Sequence, residues 1–306
     1  MLYLIRGFVM SRDKGLMRTI IASKRMQSFL GDPSGMVGGI ILFAFFFAAL
    51  FAPYLAPTDP YDLTTVDLAN FLLEPSWMDQ GVSAFPLGTD DQGRGILSTI
   101  LYGLRTSLIV SVSVVTISST VGIILGMLGA YYGGLFDAFI MRAADTVFSF
   151  STTLLAVLLL GVFESRGIFT VIIAICIADW VKYARTIRGS VLEIKEFPYV
   201  TAARSSGAGD FRILFRHILP NALPPIFVLM AVDMAVVIML EATLSFLGVG
   251  VPLTEPSLGM MIAIGKNYIY AGMWWMVVFP GITLIGMVVG INLFADWLRE
   301  ELNPKL

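Results

Sequence analysis

The sequence predicts an all-α polytopic membrane protein with six transmembrane helices and a long, helix-punctuated cytoplasmic loop between spans four and five. Three observations carry this. The chain of 306 residues is 57% hydrophobic and only 14% charged, with a mean hydropathy of +0.83, where a soluble domain has about 45–50% apolar and about 25% charged residues. Its apolar residues gather into stretches near the ~20 residues that cross a bilayer. Its Lys and Arg residues fall almost entirely on one side of those stretches. The same arithmetic narrows the chemistry. A net charge of -2 gives no basic field for nucleic acid. One cysteine, Cys176, excludes an intrachain disulfide and a Cys-based zinc site, and one histidine, His217, has no His partner for a metal.

The spans follow in order. Residues 1–34 form a cytoplasmic N-terminal segment with six basic residues, and 35–306 form the transmembrane domain. Met36–Leu55 is uncharged and reads as an uncleaved first span, because it is too long for a signal h-region and shows no cleavage site. The uncharged run from Thr106 to Phe136 supplies span two over about 106–130. Its Ser111, Ser113, Ser118, Ser119, Gly122, Gly126 and Gly129 suit close helix packing. Span three is 146–163. Span four, 167–187, is the least apolar, since Asp179 and Lys182 interrupt it. Span five, 221–247, carries Asp233 and Glu241. Span six, 273–295, has Pro280 and Gly281 as a kink.

Orientation follows from the basic residues. With the N-terminus inside, the cytoplasmic pieces hold six (1–34), one (131–145), seven (182–220) and two (296–306). Only Arg94, Arg105, Arg166 and Lys266 lie outside. Both termini are therefore expected in the cytoplasm.

The outer loop, 56–103, holds seven acids and one arginine up to Leu101, so it is solvated. Thr89 and Gln92 fit a capping box. Ile96, Leu97, Ile100, Leu101 and Leu104 recur at helical spacing and predict a short amphipathic helix on the outer membrane surface. An irregular loop entering span two is the alternative.

The cytoplasmic loop, 188–220, is ordered by its punctuation. Pro198 suits a first helical turn, Val200–Ser206 continue that helix, and Gly207 takes the left-handed turn that ends it. Asp210 N-caps a second helix, and Pro220 stops or kinks that helix before span five. Ala202, Ala203, Ser205, Ser206 and Gly207 leave a small surface that another protein's backbone can approach.

At this loop the sequence resembles a known family. Ala202-Ala203-Arg204, Gly207 and His217-Ile-Leu-Pro220 look like the cytoplasmic EAA loop of ABC importer permeases. Phe85-Pro-Leu-Gly-Thr-Asp-Asp-Gln-Gly-Arg94, Glu241-Ala-Thr-Leu-Ser-Phe-Leu-Gly-Val-Gly250 and Asp296-Trp-Leu-Arg-Glu-Glu-Leu-Asn-Pro-Lys305 are similar to the dipeptide/oligopeptide/nickel branch, in its C-type subunit. The likeness covers about residues 35–305. It implies a subunit paired with a homologous permease, two cytoplasmic ATPase subunits that bind ATP and Mg, and a periplasmic or lipid-anchored binding protein, in a bacterial inner membrane. It also implies that Thr201, Ala202, Ala203, Arg204, Gly207 and Asp210 form the ATPase-coupling loop. Thr201 stands where the family motif has an acid. Peptides, nickel chelates, glutathione-like compounds, opines and sugars are all substrate classes of this branch.

No Gly-x-Ser-x-Gly, His-Glu-x-x-His or P-loop sequence occurs. The chain is therefore read as no enzyme, with no cofactor of its own, and any ATP hydrolysis belongs to other chains. Asp233 falls near the bilayer midplane, where a charge costs roughly 2.5–3.5 kcal/mol. It either lines the substrate route or bonds a neighbouring helix. Glu241, eight residues on, is about 80° around the helix, so both acids can face one cavity, although a structural role at the end of the span is favoured for Glu241. Asp179 and Lys182, at i and i+3, pair on one helix face. The rival reading is a stand-alone secondary transporter or channel with Asp233 and Glu241 as ion sites.

Overall fold

A computed structural model describes residues 24–61, 70–163, 167–252 and 255–302. Residues 1–23 of the basic N-terminal segment, Arg166 and the tail end with Lys305 lie outside the described residues. Thirteen α-helical segments, joined by short 3₁₀ and π turns, account for nearly all of the described regular structure: α1 Lys24–Gly31, α2 Pro33–Leu50, α3 Ala52–Leu55, α4 Ile96–Tyr132, α5 Gly134–Phe148, α6 Thr152–Val162, α7 Ile168–Ile194, α8 Pro198–Ser205, α9 Asp210–Arg212, α10 Leu219–Ala222, α11 Pro224–Phe246, α12 Leu258–Gly265 and α13 Trp275–Leu302. A single antiparallel bridge, Thr89 to Gly95, is the β pairing among the described residues.

Four helices, α2, α4, α11 and α13, are long and apolar enough to cross a bilayer, and α5 with α6 makes a bent fifth. The start of α2 is set by Asp32, whose carboxylate accepts from the Ser34 and Gly35 N–H groups at 3.1 Å each, with Pro33 at the first helical position. The Ser34 hydroxyl and then these backbone donors hold the Asp32 carboxyl below the usual carboxylate range. The helix ends at Leu50. Residues 52–55 continue as a separate turn, so the first apolar run is not one unbroken helix.

The expected surface helix at 96–104 is corrected. Ile96 opens a 37-residue helix that runs unbroken to Tyr132, about 55 Å long. Ile96, Ile100 and Leu104 are buried against α11, α12 and α13, and Leu101 and Tyr102 against the Ala52 turn. The amphipathic face is thus covered by protein rather than lipid. Nothing between Ile96 and Tyr132 breaks the helix. Gly133, at φ +67, ends it. The Thr89–Gln92 capping box is also corrected. Thr89 Oγ1 donates to the Asn70 carbonyl at 2.6 Å, and Gly95 stands at the helix cap. Asp90 instead closes the turn, accepting from Gln92 N–H, Arg94 N–H and Arg94 Nε at 2.8–2.9 Å. Burial and the neighbouring Asp90 push the Asp91 carboxyl up.

The apolar run 146–163 is not one straight span. It breaks between α5 and α6, which meet at 88°. Two ion pairs fix α5 on α7: Arg188 holds Asp137 bidentately at 2.7 and 2.8 Å, and Arg185 meets Asp145 at 2.6 Å. The α4–α7 contact rests on small residues. A Cβ at Gly122 would lie 2.6 Å from the Trp180 carbonyl oxygen, and one at Gly126 would lie 2.3 Å from that of Ala184. Three apolar clusters follow. One joins α4, α6, α7 and α11 through Val114, Leu160, Ile175 and Leu244. A second joins α2, α4, α11, α12 and α13. The third encloses the loop after α7. Helix α13 runs as one element through Pro280.

Candidate functional site

The loop after α7 folds into an elbow of two short helical pieces. Pro198 sits in the first turn of α8, and Ser206 ends that helix. Gly207 follows at φ +78, where a side chain is disfavoured. Its N–H donates to the Arg204 carbonyl, and the Ala208 N–H donates to the Ala203 carbonyl at 3.1 Å. The second piece starts at Asp210, passes through a π turn at Ile213–Ile218 and continues through α10. Pro220 does not stop it, because it lies in the first turn of α10, where its missing N–H costs little. Asp210 is not the N-cap. Gly209 holds that position, and Asp210 Oδ1 accepts from the Tyr131 hydroxyl at 2.6 Å.

The elbow is seated by its apolar side. Val200, Ile213, Leu214 and Ile218 are buried with Met127, Tyr183, Ile187, Val191 and Ile226. Its outer side is small or polar from Thr201 to Gly207, where Thr201, Ala202, Arg204, Ser205, Ser206 and Gly207 are exposed and Ala203 is half-buried, and aromatic on the second piece, where the exposed Phe211 and Phe215 rings lie 4.5 Å apart. The Arg204 guanidinium lies 5.9 Å from the Tyr131 ring centroid. At the base, Asn221 Nδ2 donates to the His217 carbonyl at 2.8 Å. Thr201, Ala202, Ala203, Arg204, Gly207 and Asp210 thus share one elbow.

Asp233 and Glu241 do not share a cavity. Asp233 is 2% exposed. Its Oδ1 is ion-paired with Lys182, and its Oδ2 accepts from the Tyr183 hydroxyl at 2.6 Å. Lys182 also pairs with Asp179 at 2.5 Å, as its i, i+3 spacing predicts. The Lys182 side chain is 30% exposed, against 4% and 1% for the two acids. Glu241, at 0% exposure, accepts from three hydroxyls: Ser107 at 2.9 Å, Ser245 at 2.8 Å and Ser257 at 2.8 Å. It therefore ties α4, α11 and the residue before α12 together through side chains rather than backbone. The pattern of the sequence did not reveal Lys182 as partner to Asp233, Tyr131 as partner to Asp210, or the three serines. Each partnership joins distant residues, apart from Ser245, which lies one turn from Glu241.

Comparison with known proteins gives concordant matches. Residues 118–306 match the family described as binding-protein-dependent transport system inner membrane component. Residues 24–75 match the N-terminal TM domain of oligopeptide transport permease C. The chain is 38% identical to the di/tripeptide transport system permease protein DppC of Pseudomonas aeruginosa, covering 92% of this chain and 91% of the relative. It is 36% identical to the oligopeptide transport system permease protein OppC of Bacillus subtilis, covering 92% and 88%. A solved structure of the MetNI methionine ABC transporter, in inward-facing conformations, overlays with a TM-score of 0.55 at 19% identity, covering 67% of this chain and 96% of that one. This last likeness is one of fold.

Proposed function

The chain belongs to the family of binding-protein-dependent transport inner-membrane components, and from that premise we propose how it works. It is a multi-pass permease subunit of an ABC importer rather than a stand-alone transporter. The solute is peptide-like, a reading supported by the names of its relatives. A homologous permease completes the pathway, two cytoplasmic ATPases carry ATP and Mg, and an external binding protein delivers the solute. Six crossings, with α5–α6 as a bent third and α7 as the fourth, put both termini in the cytoplasm. The basic-residue asymmetry supports this count.

One observation carries the coupling role: the elbow at 198–222 has an exposed outer side, small or polar over Thr201–Gly207 and aromatic at Phe211 and Phe215, while its inner side is packed into the core that holds α4, α7 and α11. The ATPases press on Ala202, Ser205 and Ser206 as they close on ATP. The packed inner side passes that displacement to the three helices. Asp233 stands behind Lys182 at the edge of the route, and Glu241 holds the helix ends together.

The test uses single cysteines at the exposed Ser205 and Ser83. A Ser205→Cys variant should crosslink to the ATPase in the assembled transporter. The two sites should label from opposite sides of the membrane. Labelling from one side, with no crosslink, would overturn both the topology and the coupling role.

A further inference from the structure

The buried cluster between α7 and α11 holds more negative than positive charge. Two carboxylates, Asp179 and Asp233, meet one ammonium, Lys182. Their four oxygens are unequally satisfied. Both Oδ1 atoms face Lys182, and Asp233 Oδ2 takes the Tyr183 hydroxyl. Asp179 Oδ2 is sealed from solvent and has no donor. The two carboxyl groups share the one ammonium of Lys182. Two carboxylates are both acceptors, so a hydrogen bond between them requires one to carry a proton.

No neighbouring group supplies that missing donor. Arg185 and Arg188, the next cations on α7, are engaged with Asp145 and Asp137 of α5. Cys176, one turn before, lies 3.8 Å from the Val114 carbonyl, to which its thiol donates. Helix α4, which packs along α7, carries a single charge, Arg105, near its start. Helices α6 and α10 contain no titratable residue. The second acid of α11, Glu241, is enclosed by its serines. Asp179 is 5% and Asp233 2% exposed, so the orphaned oxygen is closed to solvent.

We propose that Asp179 and Asp233 form a proton-binding site, in which one proton sits on Asp179 Oδ2 and is shared with Asp233. Lys182, the half-open member, is its gate. A hydronium ion on the open side of Lys182 gives up a proton, an O–H bond forms at Asp179, and water is left. The bound proton makes the cluster neutral, as burial at membrane depth favours. Its release leaves a net negative charge that favours a wetter, opened helix pair. The site also touches the coupling elbow, because Tyr183, which bonds Asp233, packs in the same apolar cluster as Val200 of α8. Proton occupancy therefore biases the helix arrangement that the ATPases drive, a step that rests on the importer reading.

Infrared spectroscopy of the assembled transporter, with and without ¹³C-labelled aspartate, tests the site. The expected result is a label-sensitive carboxylic-acid carbonyl band at neutral pH that converts to carboxylate in alkaline buffer. It should be absent in Asp179→Asn. That variant places an amide N–H where the proposal places O–H, so it should assemble, and a fall in uptake expected of the wild type in alkaline buffer should be absent from it. A label-sensitive acid band that persists in Asp179→Asn, or no such band in the wild type, would overturn the proposal. If Asp179→Asn does not assemble, the wild-type titration decides alone. The spectrum needs no transport, so its failure is separate from failure of the coupling role, which the Ser205 crosslink reads.

Discussion

Replacing Gly207 tests the elbow with a penalty that comes from the backbone alone. The residue sits at φ +78, and a Cβ built there meets nothing within 4 Å. No steric contact can account for a loss. A left-handed non-glycine residue costs roughly 1–2 kcal/mol, and strained backbone spans about 1–3 kcal/mol. Valine should fall near the upper end because its χ1 is also restricted. Since ~1.4 kcal/mol is tenfold in an equilibrium, Gly207→Ala should lower the population of the correct elbow about tenfold and Gly207→Val by up to about a hundredfold. Gly207→Asn should be mild, because asparagine tolerates this region. Gly209 is the control: it lies at φ -68 and ψ 156, also with open space, so Gly209→Ala should be silent. The assay is substrate-stimulated ATP hydrolysis by the reconstituted complex, with co-purification of the ATPases. All four variants should insert, because neither glycine is in a long apolar helix. Equal activity of Gly207→Val and wild type, or equal damage from Gly209→Ala, would refute the elbow as the coupling element.

Three further outcomes follow from the packing. Gly126→Val drives a side chain into the Ala184 carbonyl oxygen, so it should cost about 1–3 kcal/mol or more, read as a lowered thermal midpoint in detergent. Gly161→Val, where a Cβ meets nothing, should not. Ser257→Ala removes one of three hydroxyls on a fully buried carboxylate and should cost about 1.5–3 kcal/mol; an unchanged midpoint would mean that Glu241 is held by other means. Asp32 is held below its usual range by Ser34 and the Gly35 and Ser34 N–H groups. Its folded value is depressed, so its support for the start of α2 is present above about pH 4 and is lost as pH falls through the folded value. Amide exchange at residues 34 and 35, corrected for intrinsic rates, should accelerate in that window. Asp32→Asn should flatten the response, and an unaltered response would remove the cap from the account.

What was legible in the sequence was what local rules decide. Pro198 and Gly207 mark the ends of α8 because fixed φ and positive φ are properties of single residues. Asp179 and Lys182 pair because one helix turn brings them together. The small residues Gly122 and Gly126 mark a close helix contact without saying which helix approaches. The misreadings have a common cause. The stripe at 96–104 is amphipathic whether it faces lipid or the chain's own α11–α13, and only tertiary packing distinguishes the two. Asp210 has the chemistry of a cap, but Tyr131, 79 residues earlier, takes its carboxylate. Asp233 was expected at a route or a helix contact, and its partners lie 50 and 51 residues away. The bend between α5 and α6 falls at Ser149–Phe150–Ser151, without a proline or glycine to announce it.

The elbow cannot stand alone. Helix α8 has eight residues, well short of the ~12–15 that make an isolated helix even marginal in water. Its order therefore comes from Val200 and from the second piece, not from its own sequence. The π turn at Ile213–Ile218 has a local purpose: its wider winding brings Ile213, Leu214 and Ile218 together onto the buried side. The outer residues are left free of packing duty. The same packing joins the elbow to α4 through Met127 and the Tyr131–Asp210 bond, to α7 through Ile187 and Val191, and to α11 through Ile226. Tyr183 belongs to that same cluster, and its hydroxyl reaches Asp233. On the proposed coupling role, a displacement of the elbow would therefore reach Asp233 through packed side chains, without crossing a loop.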